Sequence, residues 1–194
     1  MTGVTLLLPT YERAPLLANS LRRLATLTVP DEVIVVDDGG TDDTESVCKE
    51  FGARYARTDR PSGVPSRARN VGLALASHDL ILTTDPEVIF ETDIVAQYLR
   101  LVPTDVILCT GFYVHLYHRD WLLEVGGWDE SFPEPWGWED CDLHARLDYL
   151  GHPENEVPDT RVTHQWHEPR SGPSPLNEAH CRSKVFPRDL VANA

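Results

Sequence analysis

Short apolar runs that end in turns rich in acidic residues constrain this chain more than any other feature. Val4-Thr5-Leu6-Leu7-Leu8 is β-branched and apolar without alternation, the pattern of a strand buried on both faces, and Pro9 stops it. Val33-Ile34-Val35-Val36 repeats the pattern and runs into Asp37-Asp38-Gly39-Gly40. Leu80-Ile81-Leu82-Thr83 repeats it again and runs into Asp85-Pro86-Glu87. Between these runs the period changes. Leu16, Leu17, Leu21, Leu24 and Leu27 form a helical stripe over 14–27. A helix is expected from about 42 to 51 with Thr41 as its cap, and another over 66–76. Tyr55 sits in a further expected strand.

Strands and helices alternating at this spacing imply right-handed βαβ units and an α/β fold with a mostly parallel central sheet. Ligands of open α/β sheets bind at the carboxyl ends of the strands. The sequence therefore sets Asp37, Asp38, Asp85 and Glu87 along one rim.

The second half has a different texture, rich in Trp, His, Gly and Pro. One or two strands are expected over 106–118, a helix over 138–150 with Gly151 as its stop, and a last strand over 157–163. After Pro169 the chain turns polar, as in a loop or lid, with a helix expected near 176–185. The expected organisation is one domain over 1–194 in three stretches, 1–90, 91–168 and a tail or lid over 169–194.

The chain has 194 residues, 41% of them hydrophobic and 25% charged, enough to bury a core without staples. Its net charge of −14 argues against a broad nucleic-acid or anionic-membrane surface. No apolar run reaches the ~18–20 residues of a membrane span. The four scattered cysteines form no C-x-x-C pair and fit reduced thiols and a cytoplasmic protein.

Five constellations could carry chemistry. Pro9-Thr10-Tyr11-Glu12 with Asp37-Asp38-Gly39 could read a nucleobase edge, although Pro and Asp-Gly also make plain strand-ending turns. Arg67 and Arg69, near a helix start, could clamp a diphosphate or simply balance an acidic surface. Asp85 and Glu87 offer hard oxygens to Mg²⁺ or Mn²⁺. Gly126-Gly127-Trp128-Asp129 and then Trp136-Gly137-Trp138-Glu139-Asp140 could give a sugar ring a platform and its hydroxyl a base, or could be a core Trp cluster. His164-Gln165-Trp166-His167 could supply a metal ligand. The H-x-x-H spacing alone does not suggest zinc.

In this order the five pieces resemble glycosyltransferases of the GT-A fold, family 2, with a second half similar to galactosyltransferases and chondroitin polymerases. The resemblance covers residues 4–168. It implies a GT-A, Rossmann-like nucleotide-diphospho-sugar transferase that moves a hexosyl or N-acetylhexosaminyl group with inversion. The donor would be a nucleotide sugar, UDP-sugar favoured, and the acceptor a carbohydrate or small-molecule hydroxyl. Pro9, Thr10, Tyr11, Glu12 and Asp38 would line the uridine pocket, and Arg67 and Arg69 would face the donor. Asp85 would stand near ribose and metal, and Glu87 would bind the Mn²⁺ or Mg²⁺ directly. His167 or His164 would complete the metal site. Trp136 would pack on the acceptor sugar, beside Trp138. Glu139 would contact sugar hydroxyls, and Asp140 would be the catalytic base. The family's D-x-D reads Asp85-Pro86-Glu87 here, and Trp138 stands where a Gly often precedes the Glu-Asp pair.

Two rivals remain at this level. A nucleotidyltransferase would want a Gly-rich phosphate loop with a Lys, which Leu8 to Leu17 lacks. A carbohydrate-binding protein without transfer activity would use the tryptophans but not the acid pair and histidines. The chain is short for the class, so its acceptor site could be open or completed by a partner chain, a homodimer included.

Overall fold

The computed structural model describes residues 3–59, 64–133, 137–168, 174–186 and 189–193. The first strand, β1 (Val4–Thr10), is buried along its whole length. Helix α1 (Ala14–Leu24) returns the chain to β2 (Glu32–Asp37), and α2 (Thr44–Phe51) to β3 (Arg54–Arg57). Helix α3 (Pro65–Leu75) then crosses back to β4 (Leu80–Thr84), on the other side of β1. These four strands are parallel. The chain thus leaves β1 in both directions, and a crevice opens at the carboxyl ends where the order reverses.

The remaining strands extend the sheet. A short strand β5 (Val88–Phe90) and helix α4 (Ile94–Leu99) lead to β6 (Ile107–Thr110) and β7 (Val114–His118). Strand β7 lies antiparallel to both β4 and β6. Helices α5 (Arg119–Glu124) and α6 (Glu139–Tyr149) follow, then β8 (Glu154–Glu156), β9 (Val162–His164) and α7 (Pro175–Arg182). The seven-stranded order is β3-β2-β1-β4-β7-β6-β8, and β9 pairs separately with β5.

Burial on both faces follows from the sequence pattern. Val4, Leu6 and Leu8 point into the layer of Leu17, Leu21 and Leu24 from α1, whereas Leu7 joins Ala68 and Leu73 of α3 on the opposite face. Alternation along a strand makes this division, and each such buried side chain contributes roughly 1.5–3 kcal/mol.

The α/β expectation with a mainly parallel sheet is met, and the differences are local. Thr41 does not cap α2: the N-cap position is Asp43, without a side-chain cap bond, and Asp42 just before it accepts from Thr44 N at 3.2 Å and from the Thr44 hydroxyl at 2.6 Å. The expected strand over 157–163 lies at 162–164, with β8 before it. Strand β5 and helices α4 and α5 had no counterpart in the sequence reading, because each is six residues or fewer. The helix expected near 176–185 is α7, one residue earlier at its start.

Candidate active site

The ends of β1, β2 and β4 open onto one crevice. Asp38 N donates to the Thr10 carbonyl at 2.8 Å, closing the floor between β1 and β2. Asp37 is spent on structure: one oxygen caps the turn at Gly40 N (2.6 Å) and the other accepts from the Tyr55 hydroxyl (3.0 Å). Asp38 accepts from the Thr58 hydroxyl at 3.0 Å. Glu12, at φ 54°, accepts from the Thr41 amide and hydroxyl and so ties the end of β1 to the turn after β2. Pro9 is buried within β1, and Tyr11 is exposed above the crevice. The hydroxyls of Thr10 and Thr84, at the ends of β1 and β4, are buried and have no hydrogen-bond partner among the described residues. An orphaned buried hydroxyl is costly, and two at the rim suit a polar ligand.

Arg67 and Arg69 part company. Two positions apart on a helix, their side chains diverge by about 200°. Arg67 pairs with Asp59, beyond the end of β3. Arg69 is buried in the centre of the site, 3.6 Å from Asp85, 3.3 Å from Glu139 and 3.3 Å from Asp140. Its guanidinium also lies 5.9 Å from the Trp128 ring.

The carboxylates respond to this crowding. Burial pushes Asp85 up to about 7; Arg69 opposes that, and the charges of Glu87, Asp140 and Glu139 add to it. Burial and neighbouring Asp140 also raise Glu139, against Arg69. Asp140 goes the other way. Burial would raise it, but Arg69, His144, His115 and the Trp128 hydrogen bond together hold it below the ordinary aspartate range. Asp140 thus stays ionised beside a Glu139 biased toward its neutral form.

Asp140 is held from two sides. The Trp128 indole N–H donates to Oδ1 at 2.9 Å, and Arg69 faces Oδ2. Trp128 is itself fully buried and clamped by Asn70, which accepts from Trp128 N (2.9 Å) and donates to its carbonyl (2.8 Å). The acidic residues at the start of α6 also favour its dipole. Trp138 precedes them at φ 76°, a left-handed conformation uncommon for a bulky residue, and its ring lies 5.4 Å from the Arg182 guanidinium of α7. Trp136 lies outside the described residues.

Glu87 meets both histidines. Its Oε1 is 2.9 Å from His167 Nε2 and 3.7 Å from His164 Nε2, and all three ligand atoms lie within 4.8 Å of one another. β9 brings His164 opposite Val88, and Gln165 fastens the following turn by donating to the Leu16 carbonyl, the Ser20 hydroxyl and the Glu87 carbonyl. His167 Nδ1 lies 2.9 Å from the Glu168 carbonyl and 3.1 Å from Arg13 Nη2; a proton on Nδ1 donated to the carbonyl would leave Nε2 free to ligate. One carboxylate oxygen with two imidazoles fits a divalent ion. Asp85 is outside that group; its close partner is Arg69.

Sequence reasoning missed several members of this site. Asn70, Tyr117, His115 and His144 stand around the Asp140–Trp128 pair from α3, β7 and α6, whereas Trp128 lies in the Trp-rich stretch already singled out. Asn70 adjoins the Arg69 position, the one cue available in the sequence.

The sequence profile described as glycosyl transferase family 2 matches residues 5–122. Chondroitin synthase of Escherichia coli is 31% identical over 109 residues, which cover 53% of this chain and 16% of that protein. Validoxylamine A glucosyltransferase of Streptomyces hygroscopicus subsp. jinggangensis is 33% identical over 122 residues, covering 56% of this chain and 29% of that protein. The chain thus spans under a third of the length of these relatives. Among solved structures, GalNAc-T7 with UDP, GalNAc and Mn²⁺ aligns at TM-score 0.76 and 14% identity over 94% of this chain and 48% of that one. The mannosyltransferase PcManGT of Pyrobaculum calidifontis, in complex with GDP-Man and Mn²⁺, aligns at TM-score 0.72 and 19% identity, covering 81% and 55%. These neighbours share the GT-A fold, and so does this chain. With the profile matching more than half of its length, the chain belongs to glycosyl transferase family 2.

Proposed function

We propose that this chain transfers a sugar from a nucleotide-sugar donor to an acceptor hydroxyl with inversion, and that Asp140 is the base. One observation carries the reading: a single buried arginine, Arg69, touches both Asp85 at the β4 rim and Asp140 at the start of α6. That contact joins the donor side to the acceptor side. The acceptor hydroxyl gives its proton to Asp140 as its oxygen bonds to the anomeric carbon. The bond from that carbon to the diphosphate breaks, and the diphosphate leaves with the electron pair. Arg69 offsets charge that would otherwise accumulate there.

Thr10, Tyr11 and Asp38 form the nucleoside side, with Arg67 at the neighbouring edge of the crevice. A UDP-sugar is the donor we infer; chondroitin synthase is among the relatives, and GalNAc-T7 was solved with UDP. Glu139, which accepts from Arg69 at 3.3 Å, would contact a sugar hydroxyl, and Trp138 stands beside it at the start of α6. Glu87, His164 and His167 would hold a divalent ion, which would supply Lewis-acid stabilisation of the diphosphate. The donor set argues for Mn²⁺ over Mg²⁺, because imidazole nitrogens suit a transition ion better than the all-oxygen shell that Mg²⁺ demands.

Asp140→Asn tests the base. Loss of general-base catalysis is worth about 10²–10⁴-fold, so transfer should fall by that factor while donor affinity stays within a few fold. A variant that kept near-native transfer would remove Asp140 from the role.

A further inference from the structure

A second cluster lies beside Asp140. His115 comes from β7, His144 from α6 and Glu154 from β8. Glu154 Oε1 is 3.0 Å from His144 Nδ1 and 3.4 Å from His115 Nε2, and all three ligand atoms lie within 4.8 Å of one another. We propose that these three residues form a second metal site, distinct from Glu87, His164 and His167, that takes a tetrahedral ion of the Zn²⁺ class.

The spacing suits that ion. Ligand atoms about 2.1 Å from a tetrahedral zinc stand about 3.4 Å apart. Two imidazoles and one carboxylate also match a common zinc donor set, with the fourth position left to water. The outer contacts orient the donors. The Tyr117 hydroxyl lies 2.7 Å from His144 Nε2, so that with an ion on Nδ1 the Nε2–H would be donated to the Tyr117 oxygen. Tyr117 is buried and held in its phenol form, so its oxygen is a neutral acceptor. Burial biases His115 toward the neutral imidazole that binds metal. Glu154 is 44% exposed, which gives an ion a way in from solvent.

The location gives such an ion a purpose. β8 is a three-residue edge strand with every residue exposed, so apolar packing holds it weakly. An ion at this point would clip β8 and α6 to β7. Helix α6 begins with Glu139 and Asp140, so the clip would fix the helix that carries the proposed base. It would also set positive charge near Asp140.

The test uses the full chain, stripped by chelator and titrated with Co²⁺ as a spectroscopic stand-in for Zn²⁺. In the Glu87→Gln background one equivalent should still bind and should show the intense visible absorption of tetrahedral Co²⁺. Adding Glu154→Gln or His144→Gln should abolish both. Glu154→Gln is the safer variant because its side chain is half exposed. Its melting temperature in chelator should match the parent, while Zn²⁺ should raise only the parent's. If Glu87→Gln alone removes all Co²⁺ binding, or if the absorption survives both second-site variants, the proposal is overturned.

Discussion

At the scale of single residues, the site turns on how one aspartate stays charged in a crowd of carboxylates. Asp85, Glu139 and Asp140 all face Arg69, and Asp140 also accepts from a fixed side-chain donor, the Trp128 indole. A hydrogen bond to the charged form lowers a carboxyl pKa. Trp128→Phe removes that donor and keeps an aromatic ring in the pocket. Asp140 should then titrate higher. A base works only when deprotonated, so the acid limb of the kcat/KM profile should move to higher pH. An acid limb that stays in place in Trp128→Phe would show that the indole only fills space.

At the scale of elements, α3 and α6 meet directly through Arg69 and again through a glycine turn that leads to α6. Asn70 of α3 grips both backbone groups of Trp128, and Gly127 stands against it. A Cβ on Gly127 would lie 2.3 Å from Asn70 Oδ1, at φ +73°. Arg146 of α6 braces the same turn by donating to the carbonyls of Val125 (2.8 Å) and Gly127 (2.9 Å). Gly127→Ala therefore incurs left-handed strain of about 1–2 kcal/mol and a further loss from displacing Asn70 of about 1–3 kcal/mol. Gly52 offers the comparison: its φ is +70°, and a Cβ there meets nothing within 4 Å. We expect Gly52→Ala to cost about 1 kcal/mol and Gly127→Ala about 3 kcal/mol by urea denaturation. Equal costs would mean that Asn70 yields freely and the turn is not a joint. The same turn shows what a sequence can and cannot reveal. The buried strands and the acidic turns after them are local patterns, so β1, β2 and β4 and the rim they form were legible. The Trp-rich stretch was visible as composition. Its geometry was not, because the partners of Trp128 and Asp140 lie on α3 and on β7, and nothing local signals a contact between residues 70 and 128. For the same reason Arg67 and Arg69 read as a pair, although helical rotation sends them to different neighbours.

At the scale of the whole molecule, an excess of negative charge coexists with a crevice that we propose receives a diphosphate. The chain carries a net −14, and one guanidinium at the centre of the site does not balance Asp85, Glu87, Glu139 and Asp140. A nucleoside diphosphate entering without a cation would meet repulsion at the β4 rim; with a divalent ion at Glu87, His164 and His167 it would not. Binding should therefore be cooperative between nucleotide and metal, each raising the affinity of the other by the same factor. Differential scanning fluorimetry reads this directly, since ligand at 100 times its dissociation constant stabilises the folded state by about 2.7 kcal/mol. For a chain of this length each kcal/mol moves Tm by roughly 2–4 °C. UDP with Mn²⁺ should thus raise Tm by about 5–10 °C, whereas UDP in EDTA should raise it by less than about 2 °C. Glu87→Gln should lose most of the shift with UDP and Mn²⁺ while melting close to the native protein in EDTA, because Glu87 contributes charge to the site rather than packing to the core. An undiminished UDP shift in EDTA would mean that Arg69 and the rim amides hold the diphosphate alone, and that the Glu87 cluster serves some other purpose.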